Sequence, residues 1–435
     1  GLDDFDSSWG IWGHNLRKVL GANTEKVYAT INGKANDSQL CFSSGEMFRL
    51  IESYITDNFG EKGKFRFVIA PDDTPYACTC PSCTAIGNTE KNAPPAVTEL
   101  ILRLSQRFPR HFFFTTSYLT TQQVTDKQLP PNAGVIVSAI NFPLRRIDGK
   151  DAKEKAFAGQ LEQWKNVTKN IYIWDYINNF DDYLTPMPIL KIARQRLQFF
   201  KQHGASGIFF NGSGYSYSSF DEMRTFVLSA LLINPELSVD NLTASFFNQE
   251  YPAAKKWLYD YYTDLENGTQ SGKRLGIYAS IRESEKAYLT PEKFIKFYDE
   301  MNDFVSNAKG KERKKLHELQ TALSYTRMEM GREHSFDAYG YAKRNGKSLQ
   351  PIPQVQEWLT QLKEHKAFTG MEYYNESSDE IGNYIKEWEE YIFASDLKKN
   401  LFLGVTPSVI PQAYKSHIKK LTDGTHGLPG NYHCG

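Results

Sequence analysis

Residues 170–212 contain the stretch that decides the fold. It begins with the apolar run NIYIWDY (170–176), continues through PILKIARQRLQFFKQHG (188–204) and ends with GIFFNG (207–212). The first and last runs have the composition of strands, whereas the middle run has apolar residues at helical spacing and a closing Gly204. This order predicts a βαβ unit, in which the two strands run parallel.

The same alternation extends back from this stretch to Trp9. Six further apolar runs occupy residues 9–14, 26–31, 39–43, 65–71, 111–118 and 134–140. Helices are expected at 45–58, 92–108, 154–166, 187–203 and 219–233. With the two runs above, the strand candidates number eight, which matches a closed barrel. We therefore predict an α/β fold, a TIM-type (β/α)8 barrel, over residues 1–236.

Beyond INPELS (233–238) the pattern changes to helices alone. Helical spacing occurs at about 241–266, 291–308, 311–334, 353–365 and 378–394. No strand signal interrupts these residues, so the barrel is expected to be followed by an all-α helical domain over 237–399. Residues 400–435 are rich in Gly and Pro and lack helical spacing, which predicts a linker.

The composition excludes several partners and cofactors. Lys plus Arg and Asp plus Glu number 51 each, so the formal net charge is zero and no large positive field attracts nucleic acid or an anionic membrane surface. No apolar run reaches the length of about 18 residues that would span a bilayer. Neither a G-x-G-x-x-G motif nor a P-loop is present, so no phosphate or dinucleotide cofactor is expected.

Three cysteines lie together in CTCPSC as Cys78, Cys80 and Cys83, and Cys41 follows an earlier strand candidate. This spacing fits disulfides in an oxidising compartment, a structural zinc site with four thiolates in a reducing one, or free thiols. All three interpretations are structural, because no neighbouring His or carboxylate indicates a catalytic metal with an open position.

Polar residues follow several of the strand candidates. They are His14, Asp72 and Asp73, Asn141, Asp175 and Tyr176, and Asn211. In TIM barrels the catalytic groups lie at the carboxyl ends of the strands, so these residues are the candidates for a site.

Glycoside hydrolysis needs a proton donor and a second group that attacks or stabilises the anomeric carbon. Asp73 and Asp175 are one candidate pair, provided that both face a common hollow and neither is sealed in an ion pair. Asp72 and Asp73 are the other pair, in which one carboxylate polarises a substrate's 2-acetamido group while its neighbour acts as general acid. The structural alternatives are an Asx turn at Asp72 or Asp73, and a salt bridge from Asp175 to an arginine such as Arg145.

Aromatic and basic residues near the strand ends are candidates for substrate binding. Trp12, Trp174 and Tyr176 could stack on sugar rings, although alternate strand residues also fill barrel interiors. His14 is expected to donate a hydrogen bond to a hydroxyl or to lie satisfied in the core, and not to bind a metal. Arg145 and Arg146 would suit a uronic-acid-bearing polysaccharide as the substrate.

Five segments together resemble a known family. They are QLCFSS (39–44), VIAPDDTPYACTCPSC (68–83), YIWDYINNFDDYLTPMP (172–188), GASGIFFNGSG (204–214) and LSALLINPELSVDNLTASFFNQEYPAA (228–254). The chain resembles the family called domain of unknown function 4838 over residues 9–265. That family is placed among glycoside-hydrolase-like TIM barrels, and some of its members are endo-β-N-acetylglucosaminidases acting on glycoprotein glycans.

The resemblance implies a bacterial glycan-degrading protein that is secreted, periplasmic or exposed on the cell surface. Asp73 matches the acid of the motif that precedes the cysteines, and Asp175 and Tyr176 match its later strand end. Asn211 stands where relatives are expected to carry a Glu, and an amide cannot transfer a proton at neutral pH. A catalytically inactive glycan-binding barrel is therefore the alternative, and residues 400–435 look like the start of a discoidin-like carbohydrate-binding domain.

Overall fold

A computed structural model describes residues 9–269, 273–345 and 348–392. Its strands are, in chain order, β1 (Tyr28–Ile31), β2 (Lys34–Leu40), β3 (Arg66–Val68), β4 (Phe112–Ser117), β5 (Ala133–Ser138), β6 (Ile171–Tyr176), β7 (Gly207–Asn211), β8 (Ala342–Asn345) and β9 (Ser348–Pro351). Strands β3 to β7 form a five-stranded sheet in sequential order, and all four pairings within it are parallel.

The helices lie between and after these strands. They are α1 (Leu16–Leu20), α2 (Gly45–Phe59), α3 (Pro81–Ile86), α4 (Pro94–Arg107), α5 (Ala152–Lys165), α6 (Leu190–Gln202), α7 (Asp221–Ile233), α8 (Val239–Glu250), α9 (Lys255–Gly268), α10 (Ile281–Ala287), α11 (Pro291–Asn307), α12 (Gly310–His334), α13 (Pro353–Thr369) and α14 (Ile381–Glu387). Short 3₁₀ turns lie at Gly21–Val27 and Leu119–Thr121, and a π turn lies at Trp388–Ile392.

The prediction of a TIM-type (β/α)8 barrel is wrong. The described residues form an open sheet of five parallel strands, which supports only a mixed α/β fold. The first predicted run, 9–14, contributes a single parallel bridge from Ile11 to Phe67. The next two runs contribute to β1 and β2, which pair antiparallel with each other outside the five-stranded sheet.

The hairpin of β1 and β2 has a local cause. Asn32 and Gly33 connect the two strands, and both have positive φ, 52° and 74°. A two-residue connection of this kind matches the twist of an antiparallel pair, whereas parallel strands need a crossover of about a dozen residues or more. The dipeptide Asn-Gly therefore folds this segment back on itself.

The five-stranded sheet has two differently covered faces. On the helix face, buried residues that include Phe67 and Phe113 share a core with residues of α2 and α4. Val135, Val137 and Ile173 share a second core with α5 and α6 on that face. The opposite face, which we call the aromatic face, carries the alternate residues of the strands and the two tryptophans before β1. Its buried cluster consists of Trp9, Trp12, Val68, Ala70, Phe114 and Ile136, and the partly buried Tyr172, Trp174 and Phe209 pack against it.

The region after β7 is mainly helical, as predicted, but it is not all-α. Strands β8 and β9 form a small antiparallel hairpin inside it. The single helix expected at 241–266 is divided into α8 and α9, because Pro252 follows the end of α8 and has no amide hydrogen to continue it.

The chain divides into two compact units. Unit 1 contains the described residues up to Pro143 together with Ile147–Tyr176 and Arg196–Asn211. Unit 2 contains Leu144–Arg146, Ile177–Gln195 and the described residues from Gly212 onward. The predicted domains 1–236 and 237–399 stay predictions, and the discoidin-like segment 400–435 lies outside the described residues. Within the described part of the chain, no helix has the length and apolar character needed to cross a membrane.

Candidate functional site

The carboxyl ends of β4 to β7 place a set of polar side chains on the aromatic face of unit 1. Side chains alternate between the two faces of a sheet along each strand. Counted from the aromatic-face residues of β4 to β7, the positions on that face at the strand ends are Tyr118, Ser138, Tyr176 and Asn211. The Tyr176 hydroxyl lies 3.3 Å from Ser138 Oγ, and Tyr176 is in register with Asn211. We call these four residues, together with His14 and Asp73, the rim cluster.

Asp73 lies close to Tyr118 in the rim cluster. The Asp73 side chain is exposed, whereas Tyr118 is half-buried. Burial raises the pKa of the Tyr118 hydroxyl to about 12, and the negative charge of Asp73 and its hydrogen bond with the phenol act in the same direction. The phenol of Tyr176 also raises this pKa, so both tyrosines and Asp73 belong to one site. Tyr118 is therefore a hydrogen-bond donor at neutral pH and not a base.

His14 is oriented by a backbone carbonyl. Its Nδ1 lies 2.6 Å from the oxygen of Pro71, which can only accept a hydrogen bond, so Nδ1 carries the proton. In the neutral ring, Nε2 is then the acceptor. The His14 and Tyr118 rings are 6.4 Å apart between centroids, which places this imidazole beside the rim tyrosines. A neutral His14 in this tautomer can therefore accept from a substrate hydroxyl but not donate to one, and its role in substrate binding stays a prediction.

Asp72 is held differently from its neighbour Asp73. Arg17 Nε donates to Asp72 Oδ2 at 2.7 Å, and the Asp72 side chain is only 14% exposed. The buried Gln39 amide accepts from the Asp72 backbone N–H at 3.1 Å and donates to the Asp72 and Tyr76 carbonyls. Thr74 N–H donates to the Asp72 backbone carbonyl at 2.7 Å, a main-chain turn that differs from the Asx turn expected as the structural alternative.

Asp175 does not face the rim cluster. Asp175 is completely buried. It alternates along β6 in step with Ile171 and Ile173, so its side chain is on the helix face. Both of its oxygens bind the guanidinium of Arg196, which is itself 1% exposed, and Oδ1 also accepts from the Tyr176 N–H at 2.8 Å. The candidate pair of Asp73 and Asp175 therefore fails the condition placed on it. The structural alternative of a salt bridge holds, with Arg196 as the partner in place of Arg145.

The candidate aromatic residues occupy different depths. Trp12 is 7% exposed and stacks on Trp174, with ring centroids 5.1 Å apart and an interplanar angle of 13°. Phe209 contacts both rings edge-on at 4.8 and 4.9 Å. Trp12 is thus part of the packed floor, and its burial does not suit a residue that stacks on a sugar. Tyr176, two residues closer to the end of β6, is half-buried, so part of its side chain is exposed.

The remaining candidate residues are spread over both units. Asn141 is exposed and lies three residues beyond β5, whereas Asn211 is half-buried at the end of β7. Arg145 belongs to unit 2, where its Nη1 donates to the Arg146 carbonyl at 3.2 Å. Arg146 in turn donates to Thr269 and to the Glu266 carbonyl within unit 2. A role for Arg145 in binding a substrate stays a prediction.

The four clustered cysteines lie together in unit 1, and none of them is in a disulfide. Their sulfur atoms are all within 4.8 Å of one another, and among the described residues they are the group that could hold a metal ion. Cys78 and Cys80 lie in the loop that follows Asp73, Cys83 lies in α3, and Cys41 is the residue after β2.

Four residues that shape this region were not among the candidates. Tyr118 and Ser138 could have been found by counting alternate positions from Phe114 and Ile136 to the strand ends. Arg17 and Arg196 could not, because both pair with acids more than twenty residues away along the chain.

Two comparisons with known proteins bear on this site. The family model described as Domain of unknown function (DUF4838) matches residues 16–264, which is more than half of the 435 residues. A search of curated proteins finds no match. The family description states no activity, so the hydrolase activity implied by the resemblance stays a proposal. The matched residues include Asp72, Asp73, the four clustered cysteines and the strands of the parallel sheet. Because the match covers more than half of the chain, the chain belongs to the family Domain of unknown function (DUF4838).

Proposed function

We propose that unit 1 binds a carbohydrate at the rim cluster. The observation that supports this proposal is the arrangement of an exposed carboxylate, two half-buried tyrosines and an oriented imidazole above an aromatic floor. Carboxylate, phenol and imidazole groups pair with the closely spaced hydroxyls of a sugar, and tyrosine rings offer an apolar surface to its C–H face. The neutral net charge agrees with an uncharged ligand.

The ligand class is a glycan that contains N-acetylhexosamine. An acetamido group has one N–H donor and one carbonyl acceptor. At the rim, Asp73 can accept from that N–H, and the Tyr118 hydroxyl, which stays protonated, can turn from Asp73 to donate to the carbonyl. This pairing would favour a 2-acetamido sugar over one with a 2-hydroxyl.

Calorimetric titration with chitin oligosaccharides and with matched glucose oligosaccharides tests the proposal. We expect binding of the acetamido series, and about ten-fold weaker binding after Tyr176→Ala, because the variant loses a ring and a hydroxyl. Tyr215→Ala is the matched control, since Tyr215 is 94% exposed and lies in unit 2. Equal affinity of the Tyr176 and Tyr215 variants would exclude the rim cluster as the binding site.

A second candidate function is hydrolysis of the same glycan by Asp72 and Asp73. The specific observation in its favour is the Arg17 ion pair, which holds the Asp72 side chain in place beside the exposed Asp73. In this reaction the substrate's acetamido oxygen attacks its own anomeric carbon while Asp72 accepts a hydrogen bond from the acetamido nitrogen. The glycosidic bond breaks, and Asp73 gives its proton to the leaving oxygen. Water then opens the cyclic intermediate and returns a proton to Asp73.

The two functions separate in one experiment. Incubation with an N-glycan and with chitin oligosaccharides should release product from the unmodified protein and not from Asp73→Asn, while both proteins still bind the ligand. Asp126→Asn serves as the matched control, because Asp126 is likewise exposed in unit 1 and is not among the candidate site residues. Binding without turnover by the unmodified protein would reject hydrolysis and leave the binding proposal intact.

A further inference from the structure

We propose that Cys41, Cys78, Cys80 and Cys83 together bind one structural Zn²⁺ ion as thiolates. The proposal is independent of the carbohydrate site. Among the described residues these cysteines form a closed group of four sulfur ligands, and Cys80 and Cys83 have the C-x-x-C spacing of a zinc knuckle.

The sulfur positions fit a tetrahedral site. Four sulfurs that each lie about 2.3 Å from one zinc ion at tetrahedral angles are about 3.8 Å apart. Cys41 Sγ lies 3.7 Å from Cys80 Sγ and 3.9 Å from Cys83 Sγ. No pair of the four sulfurs exceeds 4.8 Å. All four ligands of a structural site are therefore already in position.

The surroundings of the sulfurs favour the thiolate form. The backbone N–H of Thr30 points to Cys78 Sγ at 3.2 Å, and that of Cys83 points to Cys80 Sγ at 3.4 Å. Ser43 Oγ lies 3.0 Å from Cys83 Sγ, so its hydroxyl can donate to this sulfur. Such donors compensate the charge of zinc-bound thiolates and orient them.

The burial of the group indicates a structural ion and not a catalytic one. Cys41, Cys78 and Cys83 are buried and Cys80 is half-buried. Four protein ligands complete the coordination of zinc, so no position is left for water or substrate. The ion would connect the end of β2 to the loop that carries Asp72 and Asp73, a loop otherwise held to β2 through Gln39. Binding would release the protons of the four thiols.

Metal analysis of the full chain, purified under reducing conditions, gives the first test. We expect one zinc per chain after dialysis against metal-free buffer. Replacement by Co²⁺ should give the visible absorption bands of a tetrahedral thiolate complex, which equimolar Zn²⁺ abolishes. Chelation should lower the melting temperature, since metal binding stabilises the folded state.

Variants locate the site. Cys80→Ser should lose the cobalt spectrum, and Ser43→Ala should keep it with about ten-fold lower affinity, as expected for loss of a group that hydrogen-bonds to a ligand. The fifth cysteine, Cys434, lies outside the described residues and provides the matched control. Cys434→Ser should bind one cobalt ion with unchanged affinity and spectrum.

Three results would overturn the proposal. The first is a mass under non-reducing conditions that is four hydrogens lower than that of the reduced chain because two disulfides join the cluster. The second is the absence of cobalt bands in the reduced protein. The third is unchanged cobalt bands in Cys80→Ser. Because the first two measurements use the unmodified chain, they decide the question even if the Cys80 variant does not fold.

Discussion

The loop after β3 and the end of β6 each carry an aspartate at the carboxyl end of a parallel strand, yet the two carboxylates have opposite surroundings. Asp73 is exposed and forms a hydrogen bond with Tyr118. Asp175 is completely buried and shares both oxygens with Arg196. The position of an acid at a strand end therefore does not decide its role, whereas the face of the sheet to which it points does.

The strand β6 shows why the faces differ. Tyr172, Trp174 and Tyr176 alternate with Ile171, Ile173 and Asp175, so one set faces the aromatic cluster and the other faces the helices. A carboxylate on the helix face is kept away from water and has to be neutralised there. Asp175 accordingly supports the structure, whereas the Asp73 side chain stays exposed to solvent.

The largest effect should follow from breaking the buried pair. Arg196→Met leaves the Asp175 carboxylate buried without its partner, and we expect a loss of about 3–5 kcal/mol in the free energy of unfolding. Urea denaturation measures this loss. Asp73→Asn is the matched comparison at the exposed strand end and should change stability by no more than about 0.5 kcal/mol.

A double variant sharpens the same test. Asp175→Leu combined with Arg196→Met removes both charges, so the protein should be more stable than the Arg196 single variant. A single variant as stable as the unmodified protein would show that the ion pair does not hold this region together.

A buried aspartate in unit 2 extends the comparison to pH. Asp182 accepts hydrogen bonds from the Leu184 and Thr185 amides, and burial raises its pKa to about 6. Between about pH 4 and pH 6 the folded protein keeps a proton that the unfolded chain has lost, so stability should fall with rising pH, by at most about 3 kcal/mol. Urea denaturation at several pH values should show this fall in the unmodified protein and a smaller one in Asp182→Asn. Equal pH dependence of both proteins would contradict the assignment.

A smaller effect is expected at the loop that carries Asp73. Gln39 is 1% exposed and bonds to three groups of this loop through its amide nitrogen. Gln39→Ala should cost about 1–3 kcal/mol, because backbone groups of the loop lose their partners. Thermal or urea unfolding measures the cost, and the exposed Gln123→Ala provides the control. A variant with unchanged stability would mean that the loop is held by other contacts.

The smallest effect concerns single hydroxyls at the rim. Tyr118→Phe and Tyr176→Phe keep the rings and should each weaken glycan binding by about 0.5–1.5 kcal/mol, the usual net contribution of one hydrogen bond. Calorimetric titration measures both. A loss in the Tyr176 variant alone would place the ligand nearer to Ser138 than to Asp73, and no loss in either variant would argue against hydroxyl contacts.

Much of the sheet could be predicted from the sequence, and the closure of the barrel could not. The runs 65–71, 111–118, 134–140, 170–176 and 207–212 all became parallel strands in sequential order. The error lay in treating the runs 26–31 and 39–43 as separate barrel strands, although the Asn32–Gly33 turn between β1 and β2 signals a hairpin.

The candidate site was predicted in part. Asp72 and Asp73 follow β3, Tyr176 ends β6, and the structure places Asp73, Tyr176 and His14 around Tyr118; a role of these residues in a site stays a prediction. Asp175 was placed on the wrong face, although its alternation with Trp174 and Tyr176 was visible in the sequence. The Arg196 pairing depends on how α6 packs against the sheet, and no local pattern encodes that contact.

The stacked indoles of Trp12 and Trp174 provide unit 1 with an intrinsic optical reporter. Two indoles with ring centroids 5.1 Å apart couple their electronic transitions, and wherever the transition dipoles are skewed within the stacked planes the coupling gives a paired signal in ultraviolet circular dichroism. Trp174 comes from β6 and Trp12 from the segment before β1, so the signal exists only while distant parts of the chain are joined. Unfolding of this unit can thus be followed by its own spectrum, without an attached dye.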